Sequence, residues 1–208
     1  VRSEMLVVDY YGNHFPSLAL MLAAKSLNLG TADISIQLGE NVRLGNLVIG
    51  TDESARMYSS FYQRPDGGMP FASFPFSQVR DGKVDMAQFE NKIVLIGVSG
   101  AGIGDTQATP ISKSMDGPTL TAHVLTSILN QDFYTRPSGA IVAELALYLT
   151  IALYLMFLLT RMPAGIAALV SLGLLVTLLA AGHYLLLREK IWLQTVTPAA
   201  MLLLGHLL

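Results

Sequence analysis

The polar residues most able to carry chemistry follow one apolar run. Lys92-Ile93-Val94-Leu95-Ile96-Gly97 leads into Val98-Ser99-Gly100-Ala101-Gly102-Ile103-Gly104-Asp105, then Thr106 and Thr109-Pro110. A glycine-rich loop after a strand is the setting of a phosphate site, but the spacing does not complete one. Counted from Gly100 and Gly102, the sixth position of G-x-G-x-x-G is Asp105, and no Gly-Lys-Ser/Thr follows. Pro110 also stands where an anion-holding helix would have to begin. Two readings remain. The glycines serve a connection that needs φ > 0, or the loop forms a small-ligand pocket at the end of the strand. Ser99, Asp105, Thr106 and Thr109 would be that pocket's polar groups.

No catalytic constellation accompanies them. His14 and His123 stand in no short-spaced pair, cysteine is absent, and Asp9, Asp105 and Asp116 do not form a D-x-D-x-D loop. Each His therefore reads as a packed or surface residue, and no metal or cofactor is expected. Gly97-Val98-Ser99-Gly100 misses the G-x-S-x-G nucleophile pattern by one residue. The segment reads as non-enzymatic.

Composition identifies the elements that must hold these groups. The 208 residues are 52% hydrophobic and 13% charged, with net charge −2, and mean hydropathy is +0.49. Such a chain is not disordered, and it has no basic field to attract nucleic acid. Of 13 Lys/Arg and 15 Asp/Glu, only Glu144, Arg161, Arg188, Glu189 and Lys190 lie beyond residue 138. This divides the chain into a soluble domain, 1–138, and a membrane domain, 139–208. The chain starts at Val1 without a Met and stops inside an apolar run, so both ends read as the ends of a fragment.

Three apolar runs predict transmembrane helices at about 139–160, 164–187 and 191–208. The first is 22 residues long, or ~33 Å as a helix, enough for a ~30 Å hydrocarbon core. Arg161-Met162-Pro163 is short enough to force an antiparallel hairpin. Glu144 admits two readings: an intramembrane functional carboxylate, or one that snorkels to the interface. Its place less than two turns into the span, eight residues after Arg136, favours the second. His183 likewise reads as interfacial, and the glycines at 165, 173 and 182 suit close helix packing. The positive-inside count is one Arg against an Arg-Lys pair, which taken literally puts 188–190, and 1–138 with it, in the cytoplasm by a margin of one residue.

In the soluble part, 5–9, 33–38, 42–49, 58–62 and 71–76 read as strands. Segment 92–97 reads as the strongest of them, central and covered on both faces. Helices are predicted at 18–29 and 117–131, the first opened by Asn13-His14-Phe15-Pro16-Ser17 and stopped by Gly30. Together these predict an α/β (or α+β) domain with a mixed sheet, followed by an all-α membrane domain.

Several of these residues, in order, carry a family resemblance. Phe15-Pro16-Ser17-Leu18-Ala19-Leu20, then 76–82, then Phe89-Glu90-Asn91-Lys92-Ile93-Val94-Leu95-Ile96-Gly97 resemble the type-two CHASE sensor domain. Asp105-Thr106-Gln107-Ala108-Thr109-Pro110 and Met115-Asp116-Gly117, followed by a helix, continue the likeness. After Gly117, where that family carries an acidic residue and a His, the chain has Pro118-Thr119-Leu120-Thr121, so those roles do not transfer. The resemblance implies that part of the domain precedes Val1. It also implies an extracytoplasmic sensor in a bacterial inner-membrane receptor, with three spans leading to a cytoplasmic cyclase or kinase. That architecture puts 1–138 outside.

The expected function is a sensory input module in a multi-pass protein. Its expected partners are the lipid bilayer, an extracytoplasmic ligand or protein, and copies of itself or a membrane complex, but not nucleic acid. A non-catalytic structural or accessory subunit of a larger membrane complex is the alternative. A membrane enzyme using Glu144, His183 and His206 would need those three to converge at one depth.

Overall fold

The computed structural model describes residues 3–99 and 104–207. The chain divides into two compact units, Val1–Phe133 and Tyr134–Leu208.

The first unit begins with β1 (Glu4–Met5), β2 (Val7–Tyr10) and β3 (Asn13–Pro16). β2 and β3 form an antiparallel hairpin whose turn residues, Tyr11 and Gly12, both have positive φ. That pair of conformations matches the strand twist. α1 (Leu18–Ser26) follows, its N-terminus capped by Ser17, whose hydroxyl accepts from the Leu20 amide at 3.3 Å. β4 (Ile34–Gln37), β5 (Asn41–Leu44) and β6 (Leu47–Gly50) make an antiparallel meander. The single strand expected over 42–49 is thus two, because Gly45, at φ +56°, turns the chain between them. β7 (Arg56–Ser59) pairs antiparallel with β1. The strands expected over 58–62 and 71–76 are not formed at 60–62 and 71–75, and the short helix α2 (Phe76–Arg80) comes next.

β8 (Thr106–Gln107) pairs antiparallel with β9 (Met115–Asp116), which leads into α3 (Gly117–Leu129). Asp116 caps α3 by accepting the Thr119 amide at 2.8 Å. The helix ends with Gln131 at φ +52° while the Asp132 amide reaches back to the Ser127 carbonyl. This Schellman closure satisfies the last carbonyls. β10 (Phe133–Tyr134) is the third strand of the β1–β7 sheet. The core is built by α1 packing on α3, with Leu6, Leu20, Val42, Leu44, Ile49, Met57, Val124 and Ile128 buried between helices and strands.

The fold class is α/β plus helical, as the sequence implied, with the strands spread over several small sheets; every strand pair with a described register is antiparallel. One expectation fails. Segment 92–97 forms no strand, and Ile93, Val94 and Ile96 are exposed. An apolar β-prone run becomes a strand only where a neighbour offers a ladder, and none does among the described residues.

The second unit is helical. α4 (Ala140–Leu153) continues through a π-helical turn at Tyr154–Leu158 and a 3₁₀ turn to Arg161. After Met162-Pro163 comes α5 (Ala164–Arg188), and after an extended stretch α6 (Val196–Leu207). The stretches Ala140–Arg161 and Ala164–Arg188 are long and apolar enough to cross a membrane, yet only 17% and 11% of their most apolar windows are buried. A core helix of a soluble protein would be mostly covered. Helix in the third run starts at 196 rather than 191, since 191–195 is committed to the contacts described below. Its 12 residues rise ~18 Å.

Candidate functional site

Ser99, Asp105, Thr106 and Thr109, the polar groups predicted for the 97–110 loop, flank a stretch that lies outside the described residues. Ser99 and Asp105 are exposed on either side of 100–103, and those four residues, Gly102 among them, lie outside the described residues. Thr106 is exposed on β8, opposite Asp116. Thr109 closes a local turn, its hydroxyl accepting the Ser112 amide at 3.1 Å and donating to the Ser112 carbonyl at 3.2 Å. A cavity of about 220 Å³ in this unit is lined by Val7, His14, Pro16, Thr31, Ile34 and Ile36, none of them from this loop. The loop does have a route to α3. Its far end is strand-paired to the residue that caps that helix.

The denser polar site lies where the chain enters α4. Glu144 is 8% exposed, and both of its oxygens are engaged. Oε2 accepts from the Arg136 guanidinium at 2.9 Å, and Oε1 accepts the Gln194 amide at 2.9 Å. Arg136 also lies over the Trp192 ring, 5.8 Å from its centroid. Beside them the Thr135 amide donates to the Lys190 carbonyl and the Trp192 amide to the Thr135 carbonyl, a parallel bridge to Ile191. Lys190 covers the Tyr134 ring at 5.4 Å. One carboxylate thus ties three segments together: 134–136, the start of α4, and the stretch preceding α6. Neither expected reading of Glu144, an intramembrane functional carboxylate or one that snorkels to the interface, included this pairing with Arg136 and the Gln194 amide.

A second polar chain sits further along the helices. Tyr154 Oη lies 2.7 Å from Ser171 Oγ, and Ser171 Oγ lies 3.1 Å from His206 Nδ1. Tyr154 is on the π-helical turn, so that turn is bonded to both α5 and α6 through one serine. The sequence offered no sign of this, because none of the three residues stands at a recognisable spacing. His183 is exposed on α5. Glu144 is ten residues from Tyr154, ~15 Å along a helix. Glu144, His183 and His206 are therefore not brought together as an intramembrane enzyme would require.

The glycine stripe separates into working and idle positions. A Cβ at Gly182 would run into the Thr195 side chain, whereas Gly165 and Gly173 face open space. Thr195 is β-branched and cannot swing away. Gly182→Ala is therefore expected to destabilise the helical unit by about 1–3 kcal/mol through overpacking. Gly173→Ala should be neutral or stabilising by up to about 1 kcal/mol. Thermal unfolding of both variants in one detergent checks the contrast, and equal melting temperatures would refute the close approach.

Comparison with known proteins locates the chain. Residues 1–160 match the family model of the CHASE2 domain, and no curated protein and no solved structure matches.

Proposed function

The chain belongs to the CHASE2 domain family, and from that membership we propose that it is the membrane-anchored input module of a bacterial receptor. CHASE2 domains are sensory, extracytoplasmic and not catalytic. In the proposed arrangement the first unit detects a signal outside the inner membrane. α4 and α5 cross the bilayer, and the third apolar run crosses again to reach the output side. Ser99, Asp105, Thr106 and Thr109 border the ligand-responsive loop. The β8–β9 pair relays a change there to Asp116 and α3, and residues 130–139 pass it to α4.

The observation that carries this reading is the pair of long apolar helices left uncovered, directly after a sensory domain. Uncovered apolar helices of that length find their partner in lipid. Accessory membership of a larger membrane complex would use the same helices, but without transmitting force through the connection.

Topology tests the arrangement. The chain has no cysteine, so single cysteines at Ser114 and Arg161, both exposed, report without background. In intact cells an impermeant maleimide should label position 114 and leave 161 unmodified until the membrane is opened. Labelling at 161 but not at 114 would overturn the orientation.

A further inference from the structure

His123 lies on α3 with no exposed surface, inside a cage of three aromatic rings. Phe61 is 5.4 Å away, Tyr62 stacks at 5.9 Å with an 11° interplanar angle, and Phe71 meets it edge-on at 4.9 Å. Nδ1 accepts the Tyr62 backbone amide at 3.2 Å. An imidazole that accepts at Nδ1 carries its proton on Nε2, and that nitrogen, like the Tyr62 hydroxyl, is buried with no hydrogen-bond partner. The same strip of chain is fastened to α3 one turn later. The Ser60 amide donates to Ser127 Oγ at 3.1 Å, and Ser60 Oγ donates to Asp132 at 2.9 Å.

We infer that His123 is a proton-binding site of the sensory unit: a proton taken up at Nδ1 displaces the Tyr62 amide and loosens residues 60–62 from α3. This rests on the receptor reading above and gives it an input, acidification outside the cell. The chemistry is a donor clash. In the imidazolium both nitrogens donate, so the Nδ1 proton and the Tyr62 N–H face each other at hydrogen-bond distance with no acceptor between them. The helix that loses this fastening is the one leading toward the membrane-entering segment.

On the segments fastened to the ring, Asp132 accepts from Ser60 Oγ, and Arg64 and Asp66, just after Tyr62, are exposed. Among groups on the elements around α3, Lys25 of α1 and Arg56 of β7 are exposed, and Asp116 of β9 is occupied by the Thr119 amide. The Tyr62 phenol is the titratable group in contact with the ring. Burial holds the imidazole below its ordinary value. Its contribution to stability is therefore complete above the unfolded value, ~6.5, and is lost as pH falls from there toward the lower folded value. Glu4 titrates with the opposite sign, since burial raises its carboxyl and protonation favours the folded state.

The test is amide hydrogen exchange on the 208-residue chain in lipid nanodiscs, at about pH 7.5 and about pH 5, corrected for intrinsic rates. Protection of the Tyr62 amide is expected to fall about tenfold or more on acidification. His123→Asn keeps an acceptor near the Nδ1 position without titrating, so its protection should not depend on pH. Unchanged wild-type protection, or an equal fall in the variant, would overturn the inference. Should the variant not fold, the imidazole Cε1 proton followed by NMR must titrate in step with Tyr62 exchange. A ring that stays neutral until global unfolding refutes the site. Wrong topology in the cysteine experiment would sink the receptor reading while leaving this titration intact.

Discussion

Replacing Glu144 by Leu is expected to destabilise the helical unit by about 3–5 kcal/mol, the usual consequence of removing one partner from a buried ion pair. The loss is compound. Arg136, whose side chain is 29% exposed, keeps its charge in a half-dry position, and the Gln194 amide loses its acceptor. Glu144→Gln should cost less, about 1–3 kcal/mol, because an amide oxygen still accepts one of the two bonds. Pairing Glu144→Leu with Arg136→Met should recover much of the loss, since no stranded charge remains. Unfolding in detergent can be followed by Trp192, the single tryptophan, which sits beneath the guanidinium. A Glu144→Leu chain as stable as wild type would show that the carboxylate ties nothing together.

Four Gly/Ser residues inserted between Pro137 and Ser138 should abolish regulated output while sparing membrane insertion and the fold of the first unit. Pro137 fixes its own φ and holds Arg136 extended. The insertion puts a coil of ~10–12 Å r.m.s. reach inside the one stretch where Arg136 must stay in register with Glu144. The readout is a chimera with a nucleotide cyclase placed after Leu208. Its cyclase activity is expected to lose dependence on the extracytoplasmic signal and settle at one constant level. An accessory subunit, by contrast, would assemble with its complex as before. Undiminished regulation in the insertion chimera would refute mechanical transmission through this connection.

These effects differ in how visible they were in the residues alone. Ser17 before α1 and Asp116 before α3 announce their helices, because a cap acts on amides three residues away and is local by nature. Arg136 and Glu144 are eight residues apart, and that spacing suggested only a carboxylate near the interface, because a link through a non-helical turn gives no local rule for an ion pair. Gln194, which completes the site, comes from 50 residues further on, and no local rule reaches that far. His123 fails for the same reason: its partner amide is 61 residues away, so a lone histidine in an apolar helix looked inert. Segment 92–97 errs the other way. Its residue types speak for a strand, but a strand is a property of two chains of backbone, and composition reports only one.

The π-helical turn at Tyr154–Leu158 has a consequence for everything on either side of it. There the Leu159 amide bonds to the Tyr154 carbonyl, five residues back, so the turn holds one residue more than an α-helical turn would. One residue is ~100° of helical phase. Rewinding that turn to α-helix would swing one part of the helix against the other like a clutch and shift it by only ~1.5 Å along the axis. Tyr154 is the engaged plate. Its hydroxyl is held by Ser171, which in turn meets His206, so the phase of the first long helix is locked by two neighbours through a single side chain.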